Sequence, residues 1–315
     1  MRIDVSTDPA EILRSRHLDV VPYAPRVSTL SAHLGIDLST TLFALSNLPL
    51  CQPRDRHAAV RTSVARMIAD QSARLRAAIP GIVTMRCGVL MQPGRVDVLH
   101  DVVEPIVSDA LSILIDMPID VADHDHISRI FSQTLGVAKR RKMEAALGDL
   151  TRRLRLVFPA ADAGVIALKL SLAILGRDAM IGTFACTLED MARRRAGRSW
   201  SAEVWPETPT RTGVPYIDRM ALSDVSVGGA HIAAGGVIRA QLDRYESATN
   251  PQDRLGFFGA GAHVCLGRAL TLDLWGAMAA ALATSEARPQ VMAFALRRDD
   301  VFHIPETFIL EIDAP

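Results

Sequence analysis

The chain has 315 residues, nearly half of them apolar, with 35 lysines and arginines matched by 35 aspartates and glutamates. A formal charge of zero offers no global attraction for nucleic acid or an anionic membrane. No run approaches the ~20 uninterrupted apolar residues that span a bilayer, and residues 1–17 lack the apolar core of a leader, so a soluble, cytoplasmic protein is expected.

Helical periodicity dominates the first two thirds of the chain. Residues 9–15 form a short helix behind Asp8, a suitable N-cap. Residues 55–78 read as a long amphipathic helix with Val60, Val64, Met67 and Ile68 on one side. The pattern recurs over 102–115 and stops near Pro118; residues 127–158 hold one or two helices, interrupted around Gly136 and ended by Pro159. Residues 160–195 are the longest helical candidate, apolar on all sides from Val165 to Cys186, which predicts a central, buried helix. Arg177 and Asp178 stand in its middle, where charge is costly unless paired or functional.

The texture changes after Gly197. Pro206, Pro209 and Pro215 forbid a regular helix, and residues 225–227 and 232–242 read as short strands joined by Gly228-Gly229 and Gly235-Gly236 turns. A last helix follows over 268–283, then a strand over 302–312. With no repeat, linker or low-complexity segment, residues 1–315 are expected to form one domain, mainly α with small β-sheets.

Cys51, Cys87, Cys186 and Cys265 form no CxxC pair, which argues against a zinc site and, in a cytoplasmic chain, against disulfides. Three read as small buried apolar residues. Cys265 differs, because it lies in Phe258-x-x-Gly261-x-His263-x-Cys265-x-Gly267, running straight into a helix. Glycines let the backbone turn with positive φ and approach a flat ligand. A thiolate before a helix gains from free N–H groups and the helix dipole. Phe258 can shield the sulfur, and His263 can donate to an acidic group at the rim. The competing reading is a glycine-rich turn around a structural cysteine. Chance supplies these five residues at this spacing in only about 1 in 10,000 chains of this length, which favours a ligand site.

This segment resembles the haem-binding signature of the cytochrome P-450 superfamily, with His in the position commonly held by Arg. The resemblance implies a trimmed cytochrome P-450-like fold, with haem b between the long central helix and the cysteine-loop helix, and Cys265 as axial metal ligand. His57 and Arg61, four apart and so on one helix face, are similar to the pair that contacts the haem propionates. Arg219, before the predicted strands, matches another propionate-binding arginine, and residues 302–308 resemble the closing strand. The central helix corresponds to the one that crosses the distal haem face and carries an acid–alcohol pair for proton delivery. Here the acid is Asp178, the alcohol is replaced by Ala179, and Thr183 lies one turn beyond on the same face. For Asp178 a structural ion pair with Arg177 or another cation is the competing role.

The sequence departs from the family in three places. The first helix and initial strands of the main sheet are expected to be missing. The Glu-x-x-Arg pair that braces the cysteine loop is absent before Arg219, with Glu207 and Arg211 or Arg219 as a candidate replacement, while Glu11 and Arg14 fit the spacing at the wrong end of the chain. The segments before the central helix and before the cysteine loop are short. His124-Asp125-His126 reads as a polar turn, in preference to a metal site. Residues 139–142, Arg152 and Arg153 read as exposed helix faces, as do Arg54, Arg56 and Arg66, near which an acidic ferredoxin could dock.

The resemblance implies a bacterial-type monooxygenase that oxidises a small apolar or biosynthetic substrate with dioxygen and electrons from a ferredoxin and its reductase. Loss of the alcohol leaves open a peroxide-dependent enzyme or a non-redox isomerase or dehydratase. A degenerate haem-binding accessory protein is a third reading.

Overall fold

A computed structural model describes residues 2–3, 8–120, 127–132, 134–297 and 301–314, with only the backbone given for Arg2, Ile3, Arg54 and Ser128. The predicted 124–126 turn lies outside the described residues. In chain order the elements are β1 (Arg2–Ile3), α1 (Pro9–Arg14), β2 (Leu18–Val20), α2 (Tyr23–Leu34), α3 (Ser39–Leu45), α4 (Arg54–Cys87), β3 (Gly94–Asp97), α5 (Glu104–Ile115), α6 (Val137–Val157) and α7 (Ala163–Arg194). They continue with β4 (Tyr216–Ala221), β5 (Val225–Val227), β6 (Ala230–Ile232), β7 (Val237–Gln241), α8 (Pro251–Arg254), α9 (Arg268–Leu282), β8 (Arg288–Leu296) and β9 (Pro305–Asp313). The architecture is mainly α with small sheets.

The central helix α7 spans 32 residues and starts where the Asp162 carboxylate accepts from the Val165 amide at 2.9 Å. Its apolar residues run all round, and it is buried along most of its length against α5, α6 and the β8–β9 hairpin. Gly176 lets Leu111 of α5 come close, since a Cβ there would lie 2.7 Å from its Cδ2.

Helix α4 extends nine residues beyond the predicted end at Ala78, through Pro80 and Gly81. Leu75, Ile79, Val83 and Cys87 are all buried at a spacing of four, while Arg76 and Pro80 face solvent. The carbonyl freed by proline is therefore exposed to water, and burial of the apolar stripe carries the helix on. α4 packs against α5 on one flank and α9 on another.

One sheet has the order β1-β7-β4-β2, with β1 parallel to β7 and the other pairs antiparallel; a second has the order β3-β9-β8. The β5–β6 hairpin turns on Gly228 and Gly229 at φ 57° and 78°, two successive left-handed positions that suit a two-residue loop. β4 lies inside the first sheet, pairing Arg219 with Val20 on one side and Ile238 on the other. α1 packs its Ile12 and Leu13 with Leu18, Ile232, Ile238 and Ala260 in a cluster distinct from the larger helical core.

Residues 199–214 contain only a short 3-10 turn, as the prolines predict, and are held by side chains. The fully buried Arg195 donates to the Trp200 and Glu203 carbonyls and stacks on Trp205, and Trp275 of α9 donates to the Pro206 carbonyl at 2.8 Å.

Candidate haem-thiolate site

Residues 255–258 form a 3-10 turn, Gly259 reverses the chain at φ 75°, and a second 3-10 turn covers Gly261–His263. The Cys265 amide donates to the Phe258 carbonyl at 2.8 Å and closes the loop, and α9 starts three residues later. Gly261 is required twice over: its φ is 70°, and a Cβ would lie 3.0 Å from the Leu13 carbonyl oxygen of α1.

Cys265 is open to solvent on one side and surrounded by protein on the others. That surrounding mass pushes its thiol pKa up, while the Gly267 and Arg268 amides and the charges of Arg61 and Arg268 pull it down. Cys51, Cys87 and Cys186 are pushed by burial to about 12. Cys265 thus combines access, amide donors and positive charge.

Two distant segments, α4 and β4, bring basic side chains to this loop. His57 in the first turns of α4 is buried, with its ring centroid 3.8 Å from that of His263. Burial, then the charges of Arg61 and Arg219, hold the His57 pKa below the ordinary histidine value. Arg219 reaches the same place from β4. It is 3% exposed; its Nη1 donates to the Asp218 carbonyl at 3.1 Å, and its buried Nη2 has no hydrogen-bond partner. Burial lowers its pKa to about 10, partly offset by Asp19, Tyr23 and Asp218. A buried, incompletely paired guanidinium calls for an anion. A haem fits this donor set: the Cys265 sulfur suits iron, and Arg219, Arg61, His57 and His263 suit carboxylates at one edge.

The central helix presents its polar groups elsewhere. Asp178 is fully buried, with one carboxylate oxygen paired to Arg177 and the other 3.4 Å from Nη2 of Arg297. Arg177 also lies 3.7 Å from Glu104, which holds the His100 ring at 2.7 Å. The Thr183 hydroxyl donates to the Ala179 carbonyl and accepts from the Gly213 amide. Gly182 and Gly213 touch backbone to backbone; a Cβ on Gly182 would lie 2.8 Å from the Gly213 Cα and 2.2 Å from the His303 oxygen. The half-buried positions Leu168, Leu175 and Ala179 share one apolar face.

No family model matches the sequence, and no curated protein matches it. Solved structures do match. P450 RauA, complexed with a biosynthetic intermediate of aurachin RE, superimposes with TM-score 0.78 at 15% identity over 99% of this chain and 91% of that one. The versatile cytochrome P450 enzyme CYP109B1 from Bacillus subtilis gives 0.75 at 13% identity over 98% and 92%, and CYP109Q5 from Chondromyces apiculatus gives 0.74 at 17% over 100% and 90%. The chain has the cytochrome P450 fold.

Within the P450 fold the expected replacement for the Glu-x-x-Arg brace needs correction. Glu207 is exposed, and Arg211 turns instead to Glu246, with Nη1 2.8 Å from its carboxylate, and to Asp190 of α7 at 3.4 Å. Arg219 makes neither contact and stays with the cation cluster. Prolines 206 and 209 keep the segment out of a helix, and Arg211 reaches across to partners outside it. Sequence reading missed Asp190, Gly213 and Glu246. The two acids carry no local motif, and the only signal at Gly213 is the glycine itself.

Proposed function

We propose that this protein is a haem-thiolate oxidoreductase of the cytochrome P450 type, holding haem b through Cys265. The observation that carries the reading is the buried Nη2 of Arg219, which lacks a partner beside a cation cluster adjoining the only cysteine with access and amide donors among the described residues. Arg61, Arg219, His57 and His263 receive the propionates, Phe258 shields the sulfur, and Gly261 and Gly267 keep the loop compact. A thiolate-ligated haem supplies activation of an O–O bond. The apolar face of Leu168, Leu175 and Ala179 suits a small apolar or biosynthetic substrate. For a dioxygen-dependent monooxygenase, a ferredoxin with its reductase would supply electrons, with exposed Arg56 and Arg66 as acidic-partner contacts. Among the described residues no helix is long and apolar enough to cross a membrane.

The test is the absorption spectrum of the reduced carbon monoxide complex. A thiolate-type band in the wild type, lost in Cys265→Ser, is expected. A wild-type spectrum of the histidine-ligated type, or no Soret band after haem reconstitution, overturns the proposal.

One observation favours a second reading of the reaction. Asp178 and Thr183 are both committed to structural contacts, so their assignment to proton delivery requires those contacts to break. A peroxide-driven reaction, or an isomerisation or dehydration, makes no such demand. Turnover with peroxide but none with ferredoxin, reductase and reduced nicotinamide would select a peroxide-dependent reaction.

A further inference from the structure

The cysteine loop is reached through residues 242–258, which contain two 3-10 turns and the four-residue α8 and no strand. Regular backbone pairing therefore does little to place it, and the side-chain ties decide where it sits. Glu246 makes the most complete of these. One carboxylate oxygen accepts from Nη1 of Arg211 at 2.8 Å and the other from the Thr212 amide at 3.1 Å. Arg211 continues to Asp190 at 3.4 Å, and Asp190 is held by the Thr210 hydroxyl at 2.7 Å and by Arg194 at 2.8 Å. Glu246 and Asp190 side chains are 19% and 10% exposed, so these charge-assisted contacts are only partly screened by water.

The adjacent residue carries the tie onward. The Tyr245 ring lies so close over Gly256 that a Cβ there would fall 2.5 Å from it, and its hydroxyl donates to Asp8, the N-cap of α1, at 2.7 Å. Gly256 belongs to the turn whose Phe258 carbonyl accepts from the Cys265 amide. Residues 245 and 246 thus pin the approach to the cysteine between α1 on one side and the C-terminal half of α7 on the other.

We propose that Glu246 and Arg211 are positioning residues for Cys265: their ion pair, anchored on α7 by Asp190, fixes the register of the 242–267 segment and hence the place of the sulfur. The inference rests on the haem-thiolate reading only for its spectroscopic consequence. The placement of the loop is tested without haem.

The experiment measures hydrogen–deuterium exchange of peptides from 242–267 in the full chain, with the urea midpoint as a global control. It compares wild type with Glu246→Gln, Arg211→Met, Arg211→Lys and the Arg211→Met/Glu246→Gln double variant. Either single loss should speed exchange in 242–267 about tenfold more than in α5 or α6, and Arg211→Lys should recover part of the protection. The double variant should exchange no faster than the worse single one, because both remove the same pair. Unchanged loop exchange, acceleration spread evenly over the chain, or additive effects in the double variant would overturn the proposal. In reconstituted protein the variants should show a larger fraction of the histidine-type carbon monoxide band than wild type. Should wild type lack the thiolate band while loop exchange responds as stated, the haem reading fails and the positioning role stands. A thiolate band in wild type with an insensitive loop gives the converse.

Discussion

The amide of Gly213 donates to the hydroxyl of Thr183 at 2.9 Å, and that hydroxyl in turn donates a hydrogen bond to the Ala179 carbonyl at 2.7 Å. One side chain thereby clips the loop after Arg211 to the middle of α7. Thr183→Val leaves the buried Gly213 amide unsatisfied and should lower stability by about 1–2 kcal/mol. Thr183→Ser retains both bonds and should lose much less. Urea unfolding of the two variants separates these outcomes.

Asp178 sits between two guanidinium groups with no exposure. Asp178→Asn removes the negative charge and leaves Arg177 and Arg297 facing one another across a neutral amide. Breaking a buried pair from one side costs on the order of 3 kcal/mol, to be read as a fall in the denaturant midpoint. A variant as stable as wild type with altered turnover would return Asp178 to a role in proton delivery.

Arg219 shows the opposite balance. Its guanidinium is buried with Nη2 unpaired, and burial has lowered its pKa to about 10. Arg219→Met should stabilise the apoprotein by about 1–3 kcal/mol by removing a poorly satisfied charge, while weakening haem uptake. Thermal unfolding of apoprotein and a haem titration should therefore move in opposite directions.

His57 sets a pH dependence. Its pKa is held below the ordinary value of about 6.5 by burial, then by Arg61 and Arg219. As pH falls below that value the unfolded chain takes up a proton that the native state resists, so native stability is lost on acidification. The loss begins near pH 6.5 and levels off below the lowered native pKa. His57→Gln should flatten this part of the apoprotein's stability profile, as measured by urea unfolding between pH 5 and 8.

The sequence made local chemistry plain and distant pairing obscure. The Cys265 loop was legible because its glycines, its cysteine and the helix that follows lie within a dozen residues and each has a local conformational reason. α7 was legible because apolar residues on every side leave a helix only the interior. α2 and α3 are not legible in the sequence: both are short and rich in serine and threonine, and α2 fully buries only Val27. The end of α4 was misplaced because Pro80 reads as a stop unless the burial of Val83 and Cys87 is known. The engagement of Thr183 by Gly213, 30 positions on, and of Arg211 by Glu246, 35 positions on, depends on tertiary placement that no spacing rule encodes.

The contact of Gly182 with Gly213 has a bearing on how this chain can change by descent. A methyl group on Gly182 would press into the Gly213 Cα and the His303 oxygen, and one on Gly213 would come within 2.5 Å of the Ala179 oxygen. Neither position can be relieved by shrinking the other, because both already carry the smallest residue. Compensating double substitutions, the usual path by which packed pairs drift, are closed to them. The crossing of helix and loop at these two glycines can therefore change only by moving the two backbones apart.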